Sequence, residues 1–280
     1  GSYDTTPEGG WFARYKNLMH RYYHQTARRT AKTFWAGCGA VRADMFRKVG
    51  GFDVATYRVP SIEDIELGYR LHAAGGVIWH DVINVRHAKK AAEEGVDGLI
   101  LVCAGAGGHA GTLSPFALVP EVRAWFKGTI LLSGSIADGR SIFAAEALGA
   151  DLAYIGTRFI ATEEANAVDG YKQAIIDSAA DDIVYSNLFT GVHGNYLAPS
   201  ISAAGLDPAN LPQSDKSKMN FGSGGNMDKK AWKDIWGAGQ GVGQVKTSPS
   251  VAELVGELKA QYDAARAAVF GANPALAAAE

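Results

Sequence analysis

Four short runs of apolar residues organise the chain from residue 77 onward. They are VIWHDV (77–82), GLILVCA (98–104), TILLSG (129–134) and LAYIGT (152–157). Segments with helical spacing follow the first and third runs, RHAKKAAEEG at 86–95 and GRSIFAAEALGA at 139–150. Continuous apolar strands that alternate with helices are typical of a parallel sheet. The pattern therefore predicts an α/β fold with four β/α units.

Helical and irregular stretches are predicted on either side of these units. RADMFRKVGGF (42–52) and SIEDIELGYRLHAAGG (61–76) precede them as short helices, the first of which ends at a glycine pair. Residues 164–180 are predicted to be helical, whereas residues 186–250, rich in Gly, Asn, Ser and Pro, are expected to form a long loop with short helices. Residues 251–269 predict a closing helix. One face of that helix is expected to carry Val251, Leu254, Val255, Leu258 and Tyr262.

Charge and cysteine content narrow the class of protein. The chain carries 27 Lys and Arg against 29 Asp and Glu, a net charge of -2, so bulk charge gives no reason to expect nucleic acid as a partner. Cys38 and Cys103 lie far apart and lack the spacing of a metal site, which is typical of free thiols in a reducing compartment. No apolar run reaches the roughly 18 residues that a membrane helix requires. We therefore expect a cytoplasmic protein without a membrane segment or a metal.

Three glycine-rich stretches follow directly on predicted strands. They are AGAGGHAG (104–111), SGSIADG (133–139) and IGTRFIAT (155–162). In a parallel β/α array, ligands bind at the carboxyl ends of the strands, where glycines let backbone N–H groups approach an anion. One such loop is usually only a turn, but three of them predict a cofactor site. His109 lies inside the first loop, and we expect it to act as an acid–base or anion-binding group near neutral pH.

Several of these segments resemble one enzyme family. GVDGLILVCAGAGGHAG, LLSGSIADGRSIFAAEALGADLAYIGTRFIATEEA and WGAGQGVG are similar to nitronate monooxygenases, over about residues 77–269. The resemblance implies the C-terminal half of a TIM (β/α)8-type barrel with an added helical region, and flavin mononucleotide (FMN) as the cofactor. It also implies oxidation of an alkyl nitronate by dioxygen, which releases a carbonyl compound and nitrite. The wider family includes flavin-dependent enoyl-thioester reductases, so the resemblance indicates the cofactor more closely than the substrate.

The same resemblance assigns site residues position by position. The family's glycine pairs after its seventh and eighth strands match Gly134-Ser135 and Gly156-Thr157, which would hold the flavin phosphate, with Ser135 in place of a glycine. The family's active-site histidine matches His109. The other positions expected to contact FMN are Gly107, Gly108, Ile136, Gly239 and Gln240. The implied partners are a small nitronate and dioxygen.

The first 76 residues resemble a different family. FWAGCGAVRADMFRKVGGFD, followed by SIEDIELGYRLHAAG, is similar to the C-terminal half of a family 2 glycosyltransferase domain of GT-A type. The resemblance implies that Asp64, next to Glu63, is the base that deprotonates an acceptor hydroxyl. The spacing alone indicates only a capped helix start. That family's nucleotide-binding half and its metal-binding Asp-x-Asp are absent, so nothing is expected to hold a sugar nucleotide.

Together, the two resemblances predict a chimera of two domains, residues 1–76 and residues 77–280. Four β/α units are half of the family's eight, and a parallel half-barrel has two open edges that tend to pair. A homo-oligomer formed through these edges is one expectation. Two alternatives to the flavoenzyme stay open, namely a glycosyltransferase fragment and an incomplete chain without activity.

Overall fold

The computed structural model describes residues 43–53, 55, 67–68, 70–71, 73–214 and 234–272. Glu63 and Asp64, the acidic pair assigned to a glycosyltransferase, lie outside the described residues. The chain divides into two compact units, residues 1–78 with 90–96 and residues 79–89 with 97–280. The domain boundary expected between residues 76 and 77 stays a prediction.

A short helix in the first unit ends as the sequence predicts. Helix α1 comprises Ala43–Lys48. Gly50 and Gly51 follow it with φ of 84° and 67°, the left-handed conformation that commonly ends a helix. The Gly51 amide donates a hydrogen bond to the Phe46 carbonyl at 2.9 Å, which satisfies one of the last carbonyls of the helix.

Seven strands form two sheets within the described residues. In chain order the strands are β1 (Trp79–Val82), β2 (Gly98–Val102), β3 (Gly108–His109), β4 (Thr129–Ser133), β5 (Leu152–Tyr154), β6 (Ile183–Ser186) and β7 (Gly194–Leu197). The first sheet is parallel, with the order β1-β2-β4-β5. Its central strands β2 and β4 are almost wholly buried and pair with Leu99 opposite Ile130. The predicted parallel α/β sheet is confirmed.

Helices alternate with these strands. In chain order, the other α-helices with bounds in the described residues are α2 (Val85–Glu93), α3 (Pro115–Arg123), α4 (Gly139–Ala147), α5 (Thr157–Ile160), α6 (Asp169–Asp177), α7 (Ala198–Ala203) and α8 (Val251–Ala272). Helix α3 was not predicted from the sequence, and it contains Pro120 in its interior, a residue that disfavours a helix. A capping box begins α4, where the Asp138 side chain accepts from the Ser141 amide at 2.7 Å. None of the helices in the described ranges is long and apolar enough to cross a membrane.

Helix α8 packs against α4, and the buried face of α8 differs in part from the predicted one. Leu254 and Leu258 are buried as predicted, but Val255 is 51% exposed, and the buried face continues at Ala265. Gly139 at the start of α4 lies so close to α8 that a Cβ there would clash with the Tyr262 backbone. The contact therefore depends on a glycine that the hydrophobic pattern does not single out.

The prediction of a long loop from residue 186 is wrong in its first part, where the chain forms an antiparallel hairpin. Strand β7 pairs with β6 on one side and with β3 on the other. The strands are short, and Gly194 and Asn195 interrupt the apolar alternation that predicts a strand. The hairpin therefore holds β3, and with it His109, from a distant part of the sequence.

Candidate cofactor site

A cavity of about 270 Å³ lies where the loops after β2, β4 and β5 meet residues 237–241. It is lined by most of the positions expected to contact the cofactor, namely Gly107, Gly108, Gly134, Ser135, Ile136, Gly156, Thr157 and Gly239. Gln240 and the catalytic candidate His109 adjoin these residues in the chain but do not line the cavity. Sequence reasoning missed further lining positions, which are Gly105, Ala106, Ser133, Tyr154, Ile160, Gly237 and Gly241. The structure thus brings the three glycine-rich loops together at one end of the parallel sheet.

Gly105, in the loop after β2, contacts both the loop after β4 and the segment at 237–241. Its carbonyl accepts hydrogen bonds from the Gln240 amide at 2.9 Å and from the Ser135 amide at 3.3 Å. Its φ is 81°, and a Cβ there would clash with the Ser135 hydroxyl. Both the backbone conformation and the space therefore require glycine. The Gln240 side chain also borders this position, so Gln240 supports the loop from behind the cavity wall.

Ser135 holds an unusual backbone conformation within the cavity wall. Its φ is 57°, and it is the one non-glycine residue with positive φ among the described residues. The left-handed region costs an L-residue roughly 1–2 kcal/mol. Gly134 before it has a φ of 134°, so the whole turn suits glycines. The Ser135 amide, expected to face a phosphate, donates here to the Gly105 carbonyl instead.

Among the glycines that line the cavity, Gly156 is the one that neither the backbone nor close packing requires. Its φ of -108° is open to any residue, and a Cβ there would meet no atom within 4 Å. The missing side chain leaves this part of the cavity wall bare. Thr157 follows as the first residue of α5, and its Oγ1 accepts a hydrogen bond from the Gly239 amide at 2.9 Å. This contact joins the loop after β5 to the distant residues 237–241.

Residues 236–240 form hydrogen bonds with the hairpin as well as with the loops. The Leu197 amide donates to the Trp236 carbonyl at 2.8 Å, and the Ala238 amide donates to the Asn195 carbonyl at 3.2 Å. The buried Asn195 side chain donates in turn to the Ala106 carbonyl at 2.6 Å. Asn195 of β7 therefore supports both the loop after β2 and the cavity wall at 237–241. No motif in the sequence predicts this role.

His109 lies on strand β3, opposite Gly194 of the hairpin. The residue is exposed, but burial of part of its ring lowers its pKa below the ordinary value of 6.5. Its Nε2 lies 2.9 Å from Thr190 Oγ1. A neutral imidazole at pH 7 can act as a base, which is consistent with the expected role. Thr190, which holds the ring, was not predicted from the sequence.

The electrostatics of the cavity rest on backbone and hydroxyl groups. No charged side chain is found among the described residues that line it. Arg158, which follows Thr157, is buried but pairs with Glu257 at 3.3 Å and donates to the Thr247 carbonyl at 3.3 Å. An anion in the cavity would therefore be bound by amide N–H and hydroxyl groups, as at glycine-rich cofactor loops.

A comparison with protein families decides which of the two resemblances holds. The nitronate monooxygenase family model matches residues 12–261. The chain belongs to this family. The match runs across the junction expected near residue 76, and the comparisons give no support to a glycosyltransferase fragment or a chimera. The nitronate monooxygenase assignment thus extends over most of the segment that was interpreted as a different protein.

Individual relatives agree with the family. A nitronate monooxygenase from Paraburkholderia phytofirmans is 29% identical over 213 residues, which are 68% of this chain and 55% of the relative. The structure of a nitroalkane oxidase from Streptomyces ansochromogenes aligns with a TM-score of 0.59 and 25% identity, over 72% of this chain and 62% of that one. FabK from Thermotoga maritima shares the fold, with a TM-score of 0.56 and 21% identity over 72% and 65% of the two chains. The chain spans about half the length of the curated relatives it matches.

Proposed function

We propose that this chain carries out the FMN-dependent oxidation of alkyl nitronates, with dioxygen as the final oxidant and a carbonyl compound and nitrite as products. Membership of the nitronate monooxygenase family supports the reaction class. The observation that carries the proposal is that Gly134-Ser135 and Gly156-Thr157 line one cavity at the ends of neighbouring strands. Loops at this position are a frequent phosphate site in β/α barrels. The chain spans about half the length of these relatives, and we propose the activity, the cofactor and the substrate together.

The bare wall at Gly156 supports the fit of a phosphate. Neither the backbone nor packing requires a glycine there, and Gly156 lines the cavity, so space for a ligand gives a physical reason for it. A small residue lets an anion approach main-chain amides closely. The cavity of about 270 Å³ is just below the range of roughly 300–1,000 Å³ for whole small-molecule pockets. The described residues therefore suit the phosphate and its chain more than the entire flavin.

His109 is the residue of this chain that would transfer a proton and bind the substrate. Bound FMN would supply the electron-accepting ring. His109 is neutral near pH 7 because its pKa lies below 6.5. It would take the proton from the carbon next to a nitro group, which converts a nitroalkane to the nitronate that is oxidised. The resulting imidazolium would then hold the nitronate anion by charge.

FMN binding to the purified full chain tests the proposal directly. Flavin fluorescence titrated with the protein is expected to saturate. Gly156→Val fills the bare part of the cavity wall, so we expect at least about tenfold weaker binding, which corresponds to about 1.4 kcal/mol. The unfolding transition should move little, because a Cβ at this position meets no protein atom within 4 Å.

Gly256→Ala is the matched control. Gly256 is exposed on α8, and a Cβ there also meets nothing within 4 Å. This substitution should leave FMN binding unchanged and stabilise the helix by up to about 1 kcal/mol. A wild-type chain that binds no FMN, or a Gly156→Val variant that binds it as tightly as wild type, would contradict the proposed function.

We also propose that the chain associates through an open edge of the parallel sheet. Strand β5 pairs with β4, and no second neighbour for it exists among the described residues. Leu152 and Tyr154 on this strand are each 46% exposed. Exposed apolar edge strands tend to pair with another chain. Light scattering should show a mass that rises with protein concentration, and Leu152→Lys should suppress it; a constant monomer mass would contradict this proposal.

A further inference from the structure

The hydroxyl of Thr190 lies among four polar groups, which are the carbonyl and the amide of Val192, the His109 imidazole and the Tyr196 phenol. Its Oγ1 is 2.9 Å from His109 Nε2, 2.8 Å from the Val192 carbonyl and 3.2 Å from the Val192 amide nitrogen. A carbonyl can only accept a hydrogen bond and an amide N–H can only donate one, whereas a neutral imidazole nitrogen can do either. The roles of the two backbone groups therefore restrict what the imidazole can do.

The single hydrogen of the Thr190 hydroxyl determines the tautomer of His109. The threonine hydroxyl has one hydrogen, and the short contact to the Val192 carbonyl requires that hydrogen, because two acceptors at 2.8 Å would otherwise face each other. Because its one hydrogen is committed, the oxygen can only accept from its other neighbours, which are the Val192 amide, the Tyr196 phenol and His109 Nε2. We infer that Thr190 fixes His109 as the Nε2–H tautomer, so that the lone pair of the neutral ring is on Nδ1. Thr190 is in this sense a positioning residue for the histidine.

This inference deepens the proposed function and, in its catalytic part, rests on it. When His109 takes a proton from a nitroalkane, the C–H bond breaks and its electron pair moves into the nitro group, which gives the nitronate. The proton forms a new N–H bond at Nδ1. The Nε2–H keeps its hydrogen bond to Thr190 before and after the transfer, and that bond strengthens once the ring is charged. Thr190 therefore stabilises both the neutral Nε2–H tautomer of His109, which is the base, and the imidazolium that forms from it.

The tautomer can be measured without substrate or flavin. Long-range ¹H–¹⁵N spectra of the ¹⁵N-labelled full chain, above pH 7.5 where imidazoles are mostly neutral, distinguish the protonated ring nitrogen from the bare one. The signals of His109 are those missing from His109→Asn. Wild type and Thr190→Ser, which keeps the hydroxyl, should show the Nε2–H form alone. Thr190→Val should show a mixture in which the Nδ1–H form is clearly populated.

Tyr196 provides a matched control. Its phenol also interacts with the Thr190 hydroxyl, and its ring is buried against Phe189 with centroids 4.9 Å apart. Tyr196→Phe removes that second partner but leaves both Val192 groups in place. His109 should therefore remain in the Nε2–H form in this variant. A wild-type ring protonated at Nδ1, or a Thr190→Val ring indistinguishable from wild type, would overturn the inference.

Kinetics separate the failure of this inference from that of the proposed function. Only a neutral nitroalkane needs a base, so Thr190→Val should lower kcat for a nitroalkane about tenfold more than for its preformed nitronate, a part of the 10²–10⁴ that a positioned base contributes. Thr190→Ser should restore the ratio. Equal losses on both substrates would overturn the catalytic part. A chain that shows the expected tautomers but oxidises neither substrate would refute the proposed function and leave the assignment of the ring intact.

Discussion

The Gly239 amide donates a hydrogen bond to Thr157 Oγ1 at 2.9 Å, although the two residues are 82 positions apart. Both line the cavity, and both were assigned to the cofactor site from the sequence. The bond explains why a hydroxyl-bearing residue follows Gly156 at the start of α5. It closes the cavity on the side where the loop after β5 meets residues 237–241.

Thr157→Val tests this bond while keeping the shape of the side chain. Val leaves the Gly239 amide without its acceptor, so we expect a loss of about 1–2 kcal/mol in the free energy of unfolding and weaker FMN binding. Thr157→Ser keeps the oxygen and should lose much less. Urea denaturation and flavin titration measure the two effects. Equal losses in the Val and Ser variants would show that the methyl group rather than the hydrogen bond matters.

Ser135→Gly should stabilise the protein. The φ of 57° at Ser135 costs roughly 1–2 kcal/mol for an L-residue, and glycine removes that cost. Glycine also adds freedom to the unfolded chain, which offsets about 0.4–1 kcal/mol. We expect a net gain of about 0.5–1 kcal/mol in urea denaturation. Ser135→Ala is the control, because it removes the hydroxyl but keeps the strained conformation, and a gain of the same size in that variant would contradict the explanation.

The parallel sheet and the glycine loops were predictable because their signals are local. Strand β2 is a continuous apolar run, and the loop that begins at Ala104 follows it directly. The contact between His109 and Thr190 was not predictable, since it joins residues 81 positions apart through a hairpin whose short strands lack an apolar alternation. Thr190 belongs to no motif that the sequence analysis singled out. Ordinary packing, rather than a recognisable pattern, places it at the histidine.

Cys103 should be unreactive in the folded chain. It is fully buried at the end of β2, and burial raises its pKa to about 12, so the reactive thiolate is scarcely populated at pH 8. In a Cys38→Ser background, where Cys103 is the single thiol, Ellman's reagent should react at pH 8 only after denaturant is added. Rapid reaction of the native Cys38→Ser protein would show that this part of the sheet opens or is not formed.

The protonation of His109 should appear in both activity and stability. Because burial lowers its pKa below 6.5, more than half of the base is still neutral at pH 6.5, and the acidic fall in log(kcat/KM) for a nitroalkane should be centred below that pH. The unfolded chain binds the proton more readily than the folded chain. The free energy of unfolding should therefore decrease as the pH falls from about 6.5 toward the folded-state pKa, and the decrease levels off below it.

His109→Asn provides the control for both measurements. Burial also lowers the pKa of His80, so wild type and variant share that contribution and their difference isolates His109. The variant should lack the acidic fall in nitroalkane turnover and show a weaker loss of stability below pH 6.5, while its FMN binding is unchanged because the His109 ring does not line the cavity. An acidic limb centred above pH 6.5 would mean that a nearby anion raises the pKa of the ring, and that the histidine binds the substrate in its charged form instead of acting as the base.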